Sequence, residues 1–299
     1  LLGQDDIALT LRNAAIQNKL AHAYLFYGPR GTGKTTAARL IAKVANCVTR
    51  LTDEKFCVFG EPCNHCLSCR GIDQGNSLDV IEIDAASNRG IEEIRALNDS
   101  VRLSPTASRF KVFIIDEMHM LTREAFNALL KTLEEPPAHA IFVLATTEYD
   151  KVPATITSRA QRFRFRKIPL NIIVDKIARI VELEGFAVDL SALQMIAALA
   201  DGGLRDAESL LDQLIALGDR VTADVVQRVV GKVGYQAVTA FAEYLLHRDT
   251  AHALQYLSEC YAEGRNMTDF VKDLIEYLRR ALALHFDASL AARFASELV

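Results

Sequence analysis

The 299-residue sequence contains no tryptophan, and its 34 lysines and arginines do not outnumber its 38 aspartates and glutamates. A formal net charge of −4 excludes a chain coated uniformly in positive charge, although it leaves room for one local basic face. No apolar run approaches the ~20 residues that a membrane span needs, so no membrane association is expected. No secretory leader pattern opens the chain; it starts at Leu1, and a segment trimmed earlier is expected to be invisible. What is present is ordinary globular composition, 50% apolar and 24% charged, and the length predicts two or three domains. Cysteine is scarce, at six residues, yet Cys47, Cys57, Cys63, Cys66 and Cys69 crowd into 23 positions, leaving only Cys260 apart.

That crowding points to metal. Two residues between successive cysteines in Cys63-x2-Cys66-x2-Cys69 let several thiolates converge on one tetrahedral Zn²⁺. Gly60, Pro62 and Asn64 supply the tight turns of such a knuckle. The fourth ligand is Cys47 or Cys57, and spacing does not choose between them. A disulfide framework is disfavoured, because a chain this long shows no sign of an oxidising compartment. No general base adjoins the cluster, so the zinc site reads as structural.

Upstream lies a stronger signal. Ala23–Tyr27 is a short apolar run suited to a buried strand, and it leads into Gly28-Pro29-Arg30-Gly31-Thr32-Gly33-Lys34-Thr35, a complete G-x4-G-K-T loop. A helical stretch from Thr36 follows. The glycines let the backbone wrap a phosphate chain, and the helix adds the positive end of its dipole. Lys34 is placed to reach the β- and γ-phosphates, and the Thr35 hydroxyl to ligate Mg²⁺.

A second strand, Phe110–Ile115, ends in Asp116-Glu117. Carboxylates at the C-terminal end of a buried strand sit where open α/β sheets bind ligands. Asp116 is expected to hold Mg²⁺ and Glu117 to orient and deprotonate the attacking water. His119 is read as a packed or hydrogen-bonded histidine without a catalytic role. A third strand, Ala140–Ala145, ends in Thr146-Thr147, whose hydroxyls suit either water positioning or strand-end capping. Leu121, Ala125, Leu129 and Leu133 repeat at helical spacing before Pro136-Pro137, and Leu78–Ile83 reads as a further strand. Strands alternating with helices predict a parallel, doubly wound α/β sheet.

Phe163 and Phe165 alternate with arginines and are expected to point inward. Arg159, just before them, is a candidate finger for completing a neighbouring subunit's site. Beyond Pro169 the pattern is helical. Gly202-Gly203 breaks one helix ahead of Leu204, and Arg205 at the opening of the next is placed to swing onto bound phosphates or to pair with Asp206 or Glu208. Further on, Phe270, Leu274, Leu278, Ala281 and Leu282 share one helix face, read as core or subunit interface.

Together these segments resemble the AAA+ ATPases of the bacterial clamp loader, the tau/gamma family of DNA polymerase III. The resemblance is carried by Leu2-Gly3-Gln4, His22–Phe26, the cysteine module after Asn46, Ile83–Ser87, Asp116–Leu121, Asn127–Pro137, Leu144–Thr147 and Leu204–Ala207. It extends over essentially the whole chain. It implies an AAA+ P-loop core at 1–169 with a zinc module at about 47–69, a helical lid at 170–231, and a helical collar at 232–299 used for oligomerisation and cut short. It also implies that Gly28–Thr36 with Asp116 and Arg205 bind ATP and Mg²⁺, that Glu117 and Thr147 act in hydrolysis, and that Arg159 acts in trans on a neighbour's ATP. Ser158-Arg159-Ala160 lacks the cysteine usual in that motif, which the guanidinium chemistry does not need. The position after Asn46 favours Cys47 over Cys57 as the fourth ligand.

The implied activity is ATP-driven loading of a sliding clamp onto primed DNA, in a ring of clamp-loader subunits in the bacterial cytoplasm. DNA would be held by its phosphates, without regard to sequence. Three rivals predict other properties: a P-loop kinase acting on a metabolite, a zinc-stabilised nucleotide scaffold that does not hydrolyse, and a different AAA+ motor such as a helicase or branch-migration ATPase.

Overall fold

The computed structural model describes residues 1–218, 220–230, 235–262 and 267–286. β-branched and aromatic runs form five strands: β1 (Ala23–Tyr27), β2 (Val80–Asp84), β3 (Lys111–Asp116), β4 (Ala140–Thr146) and β5 (Gln161–Arg164). They pair in parallel in the order β2-β3-β4-β1-β5. One helix, α1 (Asp5–Ile16), precedes β1; the crossovers that parallel strands require contain α2 (Lys34–Asn46), the short α3 (Val48–Thr52) and α4 (Glu54–Cys57), α5 (Leu67–Asp73), α6 (Ile91–Val101), α7 (Arg123–Glu134) and α8 (Ala154–Thr157).

Because helices cover both faces, β3 and β4 are apolar almost without interruption. One face carries Leu25, Phe113, Ile115, Phe142 and Leu144 against Ile94, Leu97, Leu129 and Leu133. Opposite, Tyr24, Phe26, Ile114 and Val143 pack on Ala37, Ala38 and Ile41 of α2. Alanines on α2 let that helix approach the sheet closely, and the short loop after β1 puts its first turn at the C-terminal end of that strand. Phe163 and Phe165 are buried, as their alternation predicts.

Two local readings shift. The strand expected from Leu78 begins at Val80; Leu78 is exposed, while Asp79 is buried and accepts the backbone N–H groups of Thr106, Ala107 and Ser108. Leu121 precedes its helix, because the Thr122 side chain caps α7 by accepting from the Ala125 N–H.

The first compact unit comprises Leu1–Ile173 together with Ala200–Asp206. A second comprises Val174–Leu199 and the chain from Ala207 onward. Its elements are most of α9 (Leu170–Glu184), the two-residue strands β6 (Ala187–Val188) and β7 (Arg220–Val221), α10 (Leu190–Leu199), α11 (Leu204–Ile215, whose first turn belongs to the first unit), α12 (Ala223–Val230), α13 (Tyr235–Leu246), α14 (Thr250–Ala262) and α15 (Met267–Phe286). Phe241 and Phe270 meet edge to face, with centroids 5.4 Å apart, among Ala237, Val238, Ala253 and Cys260. The α15 stripe divides: Phe270 is buried and Leu274 packs beside it, whereas Leu278 and Leu282 are largely exposed. The boundary expected at 231–232 and the chain after residue 286 lie outside the described residues. Among the described residues no helix is long and apolar enough to cross a membrane.

Candidate functional site

The glycine-rich loop joins β1 to α2 at the C-terminal edge of the sheet, and its backbone tolerates little substitution. Gly28 has φ +143°, and a Cβ there would lie 2.2 Å from the Phe165 carbonyl oxygen, so only glycine fits. Thr32 Oγ1 donates to the Pro29 carbonyl at 2.8 Å, closing the loop on itself. Gly33, in the left-handed region at φ +96°, precedes α2, leaving the first-turn N–H groups of that helix aimed into the concavity. Arg30 and Thr36 are exposed at its rim.

Lys34 is nearly buried, and its ammonium donates to the carbonyls of Gly28 at 2.9 Å and Pro29 at 2.7 Å. Burial lowers the Lys34 pKa, against the opposing pull of Glu117 and Asp116. Thr35 Oγ1 donates to Asp116 Oδ2 at 2.6 Å, so a hydroxyl and a carboxylate from sequence-distant segments converge. That pair is a hard-oxygen donor set suited to Mg²⁺.

Glu117 sits in the left-handed region at φ 46°, unusual for a residue with a side chain. Its N–H donates to Asp116 Oδ1 at 2.9 Å. Its Oε2 accepts from the Thr147 hydroxyl at 2.9 Å and the Thr147 N–H at 3.3 Å. Thr147 therefore touches the second carboxylate of the Asp116-Glu117 pair. His119, to which the sequence assigns no role, is buried between Thr146, Glu117 and Glu148. It lies in the 3-10 turn, Met118–Met120, that directly follows Glu117.

The segment Ala200–Asp206 reaches the loop from the other side: the Leu204 N–H donates to the Gly31 carbonyl at 3.0 Å. Arg205, next along, is exposed in the first turn of α11. Arg159 stands apart from this cluster, following α8, and donates to Glu134 and to the Thr155 carbonyl, both at 2.5 Å.

Cys47, Cys63, Cys66 and Cys69 bring their sulfurs within 4.8 Å of one another. Four thiolates around Zn²⁺, with Zn–S near 2.3 Å, span edges of about 3.8 Å, so these residues fit that ion. Cys57 ends α4 and is not among them. Backbone N–H groups of Cys63 and Cys66 point at the sulfurs of Cys47 and Cys63, each at 3.3 Å. Asn64 at φ 63° and Gly60 at φ 64° make the turns. A Cβ on Gly60 would stand 2.7 Å from the Arg12 carbonyl oxygen, which keeps the knuckle against α1.

The family described as "DNA polymerase III, delta subunit" matches residues 3–169, and "DNA polymerase III clamp loader subunit, ATPase lid domain" matches residues 172–220. The chain is 48% identical over 283 residues to DNA polymerase III subunit tau of Bacillus subtilis, covering 94% of this chain and 49% of that protein. For the tau subunit of Escherichia coli K12 the figures are 40% identity, 94% and 43%. DNA polymerase III subunit gamma of Buchnera aphidicola from Acyrthosiphon pisum is 39% identical, covering 93% of this chain and 75% of that one. The chain thus spans about half the length of the tau subunits it matches and three quarters of that gamma subunit. Among solved structures, the RuvB Holliday junction branch migration motor of Thermotoga maritima superposes with TM-score 0.55 at 18% identity, covering 83% of this chain and 78% of that one. That likeness is one of fold, over most of the chain.

Proposed function

The chain belongs to the bacterial DNA polymerase III tau/gamma family, and from that premise we propose that it is an ATP-hydrolysing motor subunit of the clamp loader. In this reading Gly28–Thr36 cradle the phosphates through backbone N–H groups and the α2 N-terminus. The Lys34 ammonium, which donates to two loop carbonyls, exchanges them for β- and γ-phosphate oxygens. Thr35 and Asp116 would hold Mg²⁺, which when bound offsets negative charge on the phosphates. Glu117 takes a proton from the water that attacks the γ-phosphorus, with ADP as the leaving group, and Thr147 steadies that carboxylate. Arg205 contacts the phosphates of its own site, and Arg159 those of a neighbouring subunit.

The observation that carries the reading is the 2.6 Å contact between Thr35 and Asp116. It brings the phosphate loop and the acidic strand end to one point, as nucleotide hydrolysis requires and a bare glycine turn does not. The four-cysteine cluster supports a structural Zn²⁺ that pins the segment after α2. The division into core 1–169, lid 170–231 and collar 232–299 belongs to the same proposal, as do a ring of clamp-loader subunits, a sliding clamp and primer–template DNA as partners, and a cytoplasmic location.

The test is the ATPase rate of the reconstituted assembly with and without clamp and primed DNA. Stimulation by both is expected, and its loss in Arg159→Ala. Unstimulated hydrolysis would sink the loader reading. Transfer of phosphate to a small acceptor would favour a kinase instead.

A further inference from the structure

Tyr27 and Tyr149 form an aromatic contact at the edge of the site, and the proposed reaction gives neither a task. Their ring centroids lie 4.4 Å apart, with planes inclined by 36°. Tyr27 is the last residue of β1, directly before Gly28. Tyr149 opens the 3-10 turn Tyr149–Lys151, two residues past Thr147. The contact therefore ties the base of the phosphate loop to the turn that follows Thr147.

Sheet register explains why the rings meet. Tyr27 pairs with Thr146 in the parallel ladder, so both side chains leave the face that also carries Leu25 and Leu144. Tyr149 folds back onto that face and packs against the same apolar cluster. Its neighbours Glu148 and Asp150 are exposed, which makes Tyr149 the apolar anchor of the turn. Arg162 of β5 donates to the Tyr149 hydroxyl at 3.3 Å. That bond is long and comes from an exposed side chain, so the ring contact is the stronger restraint.

Thr147 depends on this anchor. β4 ends at Thr146, and the Thr147 N–H turns to the Glu117 carboxylate instead of a strand. The sheet holds Thr147 on one side, where the Thr146 carbonyl accepts the Gly28 N–H at 3.3 Å. The turn holds it on the other, where the Tyr149 carbonyl accepts the Val152 N–H at 3.0 Å and the ring rests on Tyr27. Both the hydroxyl and the N–H of Thr147 meet Glu117 Oε2, so a shift of the turn disturbs two contacts of the proposed base at once. Misplacement by about 1 Å can cost about 10²-fold in rate.

We propose that Tyr149 is a positioning residue for ATP hydrolysis: stacked on Tyr27, it holds the turn that sets Thr147 against Glu117. The proposal rests on the ATPase reading above and adds to it a residue outside the glycine loop and the acidic strand end.

The ring contact and the hydroxyl contact predict different variants. In the reconstituted assembly of the full-length protein, Tyr149→Ala should lower stimulated kcat at least tenfold. Its KM and its affinity for a non-hydrolysed ATP analogue should stay within twofold of wild type. Tyr149→Phe keeps the ring and should stay within about threefold of wild type, whereas Tyr149→Leu, apolar but without a ring, should recover little. Adding Tyr149→Ala to Thr147→Ala should cost nothing further, because Tyr149 acts through Thr147.

A Tyr149→Ala enzyme within twofold of wild-type kcat overturns the proposal, as does a loss confined to KM. So does an additional tenfold loss in the Thr147→Ala background. Should Tyr149→Ala unfold, the order of the phenylalanine variant over the leucine variant decides, and equal or reversed rates overturn the proposal. Glu117→Gln runs alongside as the control. If it leaves hydrolysis intact, the proposed base is wrong and the role of Tyr149 falls with it. If it abolishes hydrolysis while Tyr149→Ala does not lower it, only the role of Tyr149 falls.

Discussion

Arg159 is held by Glu134 of its own chain: the guanidinium donates to the carboxylate at 2.5 Å, and its other terminal nitrogen donates to the Thr155 carbonyl at 2.5 Å. Glu134 is the last residue of α7, whose opposite face packs in the core, so the arginine is steadied from the sheet domain outward. The guanidinium is a third exposed and Glu134 about half. An exposed pair of this kind contributes about 0.2–1 kcal/mol.

Glu134→Gln should therefore lower clamp- and DNA-stimulated ATPase by no more than about fivefold, the factor that corresponds to 1 kcal/mol. Arg159→Ala, if it removes a finger acting in trans, should cost about 10³-fold. Steady-state rates of the two variants in the same assembly check this. Equal losses would mean that Arg159 matters only through its pair with Glu134.

Zinc content separates the cysteines. Burial keeps the Cys47 and Cys69 thiols reluctant to ionise, while hydrogen bonds hold Cys63 well below the ordinary thiol range despite burial acting the other way. A bound cation takes all four as thiolates. The purified chain should carry one zinc, Cys47→Ala and Cys63→Ala should lose it together with several degrees of Tm, and Cys57→Ala should keep both. Metal analysis and thermal unfolding provide the readout; loss of zinc from Cys57→Ala alone would reassign the fourth ligand.

Asp79 predicts an acid-dependent contribution to stability. Burial raises its pKa, but three backbone N–H groups and the Ser108 hydroxyl outweigh that and hold it below the usual carboxylate value. A group depressed in the folded state stabilises above its unfolded pKa, near 4, and loses that contribution as pH falls through the folded value. Asp79→Ala should cost about 1–3 kcal/mol near neutral pH by leaving buried N–H groups unpaired. Urea denaturation should show the gap between wild type and Asp79→Asn shrinking below about pH 4. A constant gap would show that Asp79 does not stabilise through its charge.

Gly28→Ala tests the loop directly. With 2.2 Å between the added Cβ and the Phe165 oxygen, the backbone of β5 or of the loop must shift. Nucleotide affinity should fall at least tenfold, as read by titration with a fluorescent ATP analogue, while Gly75→Ala, which faces open space at a positive φ, should leave it unchanged. Unaltered binding by Gly28→Ala would contradict the tight approach of the loop to Phe165.

Local chemistry is what the sequence by itself determined. The G-x4-G-K-T loop, the acidic pair ending an apolar strand and the clustered cysteines each compress a function into a few adjacent residues, where spacing alone constrains geometry. Hydrophobic alternation likewise located Phe163, Phe165 and the α7 face, since burial of a strand or helix repeats at a period set by the backbone. Only the tertiary structure decided which segments meet. It joined Cys47 rather than Cys57 to the other three thiols, laid Leu204 on Gly31, pinned Arg159 to Glu134, and split the α15 stripe between core and surface. It also gave His119 its neighbours, because Thr146 and Glu148 arrive on a different strand end. A one-dimensional pattern records how a residue faces its own element; contacts between elements depend on the sheet order β2-β3-β4-β1-β5, which no local pattern contains.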